Sequence, residues 1–172
     1  MIFFTWLADL LANHTFSAPT LLTVIEGVSV WDNHDGSYSY TTKWFRCDTD
    51  GAPGNPDHDP DWQADTAVHG PNGKAIDATK VPYFVINPIL ARLTVGMDKG
   101  CKAQITFNGE TEDAVGGDVG PKIKLGEGSK QLAKRLRMIG VDGRHGIEGK
   151  PVTWRIWPGI PAVIDGIKYK LS

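Results

Sequence analysis

Twenty glycines and eleven prolines are spread through a chain of 172 residues, against average usages of about 7% and about 5%. Glycine supplies the left-handed backbone of tight turns, and proline interrupts both helix and ladder. A chain punctuated this densely breaks into short strands and turns, with little room for long helices. The length suits one domain with a proper core. A 41% hydrophobic and 22% charged composition is that of an ordinary globular protein. The formal net charge of -2 selects no class of partner. No stretch approaches the ~20 apolar residues of a spanning helix.

The first 20 residues are apolar, but they lack a basic start and carry Asp9 inside the run. They read as an amphipathic segment with Phe3, Leu7, Leu10 and Leu11 on one helical face, or as a partial export signal. Residues 21–172 read as a single domain. LLTVIEGVSVW (21–31), SYSYTTKWF (37–45), VPYFVIN (81–87), ARLTVG (91–96) and CKAQITF (101–107) all read as strands. Asn108-Gly109 predicts a hairpin leading into EDAVGGDVG. A helix is expected from the cap Ser129 to about Ile139, with Leu132, Leu136 and Ile139 on one face and Gly140 stopping it. PVTWRIWPGIPAVIDGIKYKL predicts short strands with turns at Pro158-Gly159 and Asp165-Gly166. The sum is a β-dominated α+β domain, a small barrel with one packed helix.

The chemistry concentrates in AVGGDVGPKIKLGEGSKQLAKRL, residues 114–136. Asp118 ends a strand and Glu127 precedes the helix, so a Gly-Pro loop can bring both carboxyls to one cleft. Glycosidic hydrolysis needs such a pair, one to protonate the leaving oxygen and one to activate water or attack the sugar. A turn aspartate and a glutamate favoured by a helix dipole produce the same pattern without chemistry. That dipole also keeps a glutamate ionised, so an acid role for Glu127 requires burial or a neighbouring carboxylate.

GGDVGPKIKLGEGS resembles the core motif of the fungal and bacterial chitosanases of glycoside hydrolase family 75, with Leu125 where isoleucine is common. FRCDTDG (45–51), AIDATKVPYFVIN (75–87), AQITFNGE (103–110) and KPVTWRIWPG (150–159) resemble further elements of that family in the same order. The resemblance covers roughly residues 40–160. It implies endo-hydrolysis of chitosan, the β-1,4 polymer of glucosamine, with inversion at the anomeric carbon. It places the catalytic pair on Asp118, as base, and Glu127, as acid. A fainter similarity, to the double-psi β-barrel of expansins and lytic transglycosylases, implies a six-stranded barrel. It also supplies two rivals, a peptidoglycan-acting enzyme and a non-catalytic polysaccharide binder.

Between residues 48 and 65 stand Asp48, Asp50, Asp57, Asp59, Asp61 and Asp65 with no lysine or arginine. A solvated acidic loop explains them, and so does a groove that attracts a polycation. The resemblance favours substrate contact for Asp48 and Asp50. Trp62, in the polar loop, and Tyr83 are expected to face sugar rings, although core packing is a competing role for each aromatic. The loop lacks the glycine and glutamate placement of an EF-hand, so no metal and no cofactor are expected. Cys47 and Cys101 fit either one disulfide in an exported protein or two buried thiols. The expected partner is chitosan, met outside the cell by a monomer. The Lys and Arg residues around 130–137 read as a solvated helix face, with neither nucleic acid nor membrane as partner.

Overall fold

A computed structural model describes residues 17–172, so most of the amphipathic segment expected over residues 1–20 lies outside the described residues, and its last residue, Thr20, opens the first strand. Among the described residues, ten strands run in the order β1 (Thr20–Ile25), β2 (Val28–Asp32), β3 (Tyr38–Asp48), β4 (Tyr83–Ile86), β5 (Cys101–Phe107), β6 (Glu110–Val119), β7 (Glu127–Ser129), β8 (Ile147–Pro161), β9 (Val163–Ile164) and β10 (Ile167–Lys168). Among the described residues, two short helices, α1 (Pro88–Leu93) and α2 (Lys130–Arg135), accompany the strands.

Strands β3, β7, β4, β6, β5 and β8 follow one another, and β8 pairs back onto β3, closing a barrel of six strands. Two of its pairings, β3–β7 and β4–β6, are parallel, and the others are antiparallel. The β1–β2 hairpin continues the sheet from β3 and stands outside the closed ring. The β9–β10 hairpin turns at Asp165-Gly166, as its turn chemistry predicts.

Alternation decides what fills the barrel. Along β5 every second residue is buried, which places Cys101, Ala103, Ile105 and Phe107 in the core. Trp154 of β8 is wholly buried between Tyr40 and Phe45, with ring centroids at 5.8 and 5.9 Å. Its indole N–H donates to the Thr42 hydroxyl at 3.1 Å, so the one polar atom of the ring is satisfied. Both cysteines are free thiols, and burial pushes Cys101 up to about 12.

Four sequence expectations change. Strand β8 runs unbroken over Ile147–Pro161, so Pro158-Gly159 lies within a strand instead of forming a turn between two. Residues 21–31 form a hairpin, β1 and β2, turning at Glu26-Gly27, where both residues take positive φ. ARLTVG is not a strand, because Asn87 caps a helix at Pro88, accepting from the N–H groups of Ile89 and Leu90. Helix α2 starts from Ser129 as expected but stops at Arg135. Arg137 enters the left-handed region at φ 55°, the N–H of Met138 reaches the Ala133 carbonyl, and that of Arg137 reaches Lys134. This double bond pattern ends a helix before Gly140 is needed. Ile139 is therefore 93% exposed rather than part of the packed face.

Candidate active site

Burial against the core governs Gly116 and Gly117 ahead of Asp118. A Cβ on Gly116 would sit 2.9 Å from Ile86 Cδ1, and one on Gly117 would sit 2.5 Å from the Tyr83 Cβ. The β4–β6 ladder pairs Phe84 with Gly116 but Val85 with Asp118, so Gly117 is a bulge. Without that extra residue, Asp118 would stand opposite Ile86 and face the core. The bulge turns its carboxyl to the outer side, beside Val85.

On the other edge of β4, Phe84 pairs with Gly128, which sets Glu127 beside Val85 from the opposite direction. Asp118 and Glu127 thus flank one valine, with backbones two strand spacings apart, about 9.5 Å. Glu127 itself lies in β7 rather than in the first turn of α2. Its neighbour Ser129 caps that helix through the Leu132 N–H at 3.1 Å. The same buried hydroxyl accepts from the Tyr83 N–H at 3.0 Å and donates to the Val81 carbonyl at 2.8 Å. One serine therefore ties the helix start to the strand between the two carboxylates.

Both residues open into a groove of about 620 Å³. Its acidic lining residues are Asp48, Asp50, Asp59, Asp61, Asp118, Glu127, Asp142 and Glu148, against Arg46, Lys124 and Arg144. Asp57 of the acidic segment instead pairs with Lys130, and Asp65 pairs with His69 at 2.9 Å. The loop that carries these residues is held by its own carboxylates. Asp59 accepts from the Thr49 hydroxyl at 2.8 Å and from the Asp61 N–H at 2.9 Å.

The four central carboxyls differ in proton affinity. Burial, then the nearby Asp50, pushes Asp48 up to about 8. Burial also lifts Asp50 to about 7, with the Asp118 and Asp59 charges adding to it and the Gln63 N–H opposing. Asp118 is raised by burial, but hydrogen bonds from the Ala67 and Val119 N–H groups and from Asp50 act to keep it ionised. The Ala67 N–H donates at 2.8 Å. The contact between these two carboxyls acts unequally, raising Asp50 and lowering Asp118. Glu127 is raised by burial, with Lys124 and Arg46 opposing and Asp118 and Asp59 reinforcing. Desolvation thus outweighs the nearby cations, the condition that an acid role requires. Carboxyl oxygens of Asp48, Asp50 and Asp118 lie within 4.8 Å of one another, the cluster among the described residues able to ligate a cation.

The aromatic expectations divide. Tyr83 lies in the core beneath the groove, where its hydroxyl donates to the Asp50 carbonyl at 3.2 Å. It presents no surface to a substrate and supports the acid cluster from below. Trp62 lines a different depression of about 960 Å³, with its indole N–H donating to the Ala52 carbonyl at 3.0 Å. It does not line the acidic groove, although Asp61 and Gln63 on either side of it do.

Two residues in the site's frame carry no obvious signal in the sequence. The buried side-chain amide of Asn87 donates to the carbonyls of Lys122 at 2.9 Å and Lys124 at 2.8 Å, clamping the loop that joins Asp118 to Glu127. Glu26, from the outlying hairpin, accepts from the Leu125 N–H at 3.0 Å and from Arg46. The Asn-Pro pair at 87–88 marks the helix cap, and only the fold shows what the amide's donors reach.

The chain matches no protein-family profile and no curated protein. None of the helices among the described residues is long and apolar enough to cross a membrane.

Proposed function

We propose that this groove is the active site of an endo-acting chitosanase, a glycoside hydrolase that cleaves the β-1,4 glucosamine polymer by inversion. The observation that carries the reading is the pair Asp118 and Glu127, flanking Val85 at about two strand spacings in an open groove. Inverting hydrolases hold their carboxyls roughly 6.5–9.5 Å apart to admit the attacking water, a separation that backbones at this spacing allow. Glu127, with its raised proton affinity, delivers a proton to the glycosidic oxygen. Asp118, whose hydrogen bonds with the Ala67 N–H and with Asp50 favour its anion, takes a proton from water as that water's oxygen attacks the anomeric carbon. The leaving sugar departs with a new hydroxyl. Solvent then restores the proton to Glu127 and removes the one on Asp118.

The acidic lining supports the substrate. Protonated glucosamine units are cations, and a groove with more carboxylates than basic groups concentrates and orients them. Because the polymer lies outside cells, this function carries export of the enzyme with it. Asp118→Asn and Glu127→Gln are each expected to lower reducing-end release from chitosan by about 10²–10⁴-fold, with an unchanged circular dichroism spectrum. Full activity in either variant sinks the assignment. Clearing of bacterial cell walls without action on chitosan would instead favour a peptidoglycan-acting enzyme. Retention on a polysaccharide column with no product from a long digest would favour a non-catalytic binder.

A further inference from the structure

We propose that Glu26 is a positioning residue for Glu127: from the turn of the outlying hairpin it holds Arg46 and Leu125 in place, and it limits how much of the Arg46 charge reaches the acid. The inference rests on the reading of Glu127 as the proton donor.

Strands β1 and β2 contribute nothing to the closure of the barrel, yet their turn is tied to the site. The turn residue Glu26 takes φ 53°, a conformation that favours glycine or asparagine over glutamate. Its carboxylate accepts from both terminal nitrogens of Arg46, at 3.0 and 2.6 Å, and from the Leu125 N–H at 3.0 Å. Arg46 in turn donates to the Leu125 carbonyl at 2.8 Å, and its backbone N–H donates to the Gly126 carbonyl at 2.8 Å. The guanidinium also lies 5.0 Å over the Trp44 ring, whose own N–H reaches the same Leu125 carbonyl at 2.9 Å. Leu125 and Gly126 are the two residues before Glu127, so every one of these bonds bears on the strand that presents it. Arg46 is also the register partner of Glu127 across the β3–β7 pair.

Arg46 of β3, Lys124, Asp118 of β6 and Asp59 are the charges that act on Glu127, and Glu127 in turn bears on Asp48. Across the groove stand Glu148 and the Asp142–His145 pair. Among these, Arg46 is the cation whose field is partly cancelled by an ion-pair partner in the hairpin turn. Burial works to raise Glu26, but its bonds to Arg46 and Leu125 hold it below the usual carboxylate range, so it stays an anion when Glu127 is protonated.

The test is a ¹³C NMR titration of the Glu127 carboxyl, assigned with Glu127→Gln, alongside the pH profile of chitosan hydrolysis. Glu26→Gln keeps an acceptor for Leu125 but leaves the Arg46 charge uncompensated. The Glu127 midpoint is then expected to fall by about 0.5–1 pH unit, and the alkaline limb of kcat with it. Arg46→Gln is expected to move both in the opposite direction, and the double variant should return them toward the starting values. Arg46→Lys, which keeps the charge, should shift the midpoint less than Arg46→Gln. Shifts of the same sign in the two single variants, or none, overturn the proposal. The NMR readout separates it from the enzymatic reading: opposite midpoint shifts in a protein that never cleaves chitosan would sustain the role of Glu26 and refute the activity.

Discussion

At the scale of single residues, the site is a set of carboxyls made unequal by their surroundings. Asp48 and Asp50 keep protons at pH values where exposed aspartates have lost them, because both are buried and face other acids. A carboxyl raised in the folded state stabilises the fold fully below its unfolded value near 4. It loses that contribution as pH climbs through its folded value, here about 7 for Asp50 and about 8 for Asp48. Thermal stability is therefore expected to decline between about pH 4 and about pH 8. Asp48→Asn, which can still accept from the Asp50 N–H, should flatten that decline and raise the melting temperature at pH 8. A steeper decline in the variant would contradict the burial argument. Gly117 belongs to the same scale, since its bulge turns Asp118 outward. Gly117→Ala places a Cβ 2.6 Å from Ile76 Cδ1 and should cost about 1–3 kcal/mol in chemical denaturation, with loss of activity beyond what that cost explains.

At the scale of elements, Ser129 and Asn87 carry the frame. Ser129→Ala removes a helix cap and leaves the buried Tyr83 N–H without its acceptor, and is expected to cost about 1–3 kcal/mol in urea denaturation. Asn87→Ala releases the loop between the two carboxylates, and should raise amide hydrogen exchange at 121–126 more than in the barrel strands. Period-two alternation made β5 legible to the residue, and Asn108-Gly109 made its hairpin legible too. The barrel class followed from many short strands and one capped helix start. The failures have local causes. Residues 91–96 carry β-branched residues at a helix end, and the cap at Asn87 outweighs them. Arg137 stops α2 in a conformation that the sequence favours only at Gly140. The pair Asp118 and Glu127 could be picked out, but its convergence depends on a bulge that exists only relative to β4. Tyr83 and Trp62 were misplaced relative to the groove because composition does not say which side of a loop or strand faces it.

At the scale of the whole molecule, the acidic loop, the barrel rim and the 142–148 segment enclose one groove of predominantly negative charge. Association with glucosamine oligomers should therefore weaken as salt rises, since screening at about 0.15 M already shortens electrostatic reach to about 8 Å. Binding to acetylated oligomers of equal length should be weaker and less salt-sensitive, as measured by calorimetry. The most direct test of the central claim is the anomeric configuration of the first product, read by ¹H NMR during hydrolysis of a glucosamine oligomer. A water seated between Asp118 and Glu127 predicts that the α-anomer appears first and the β-anomer accumulates only by mutarotation. Initial release of the β-anomer, or no hydrolysis at all, would contradict the account.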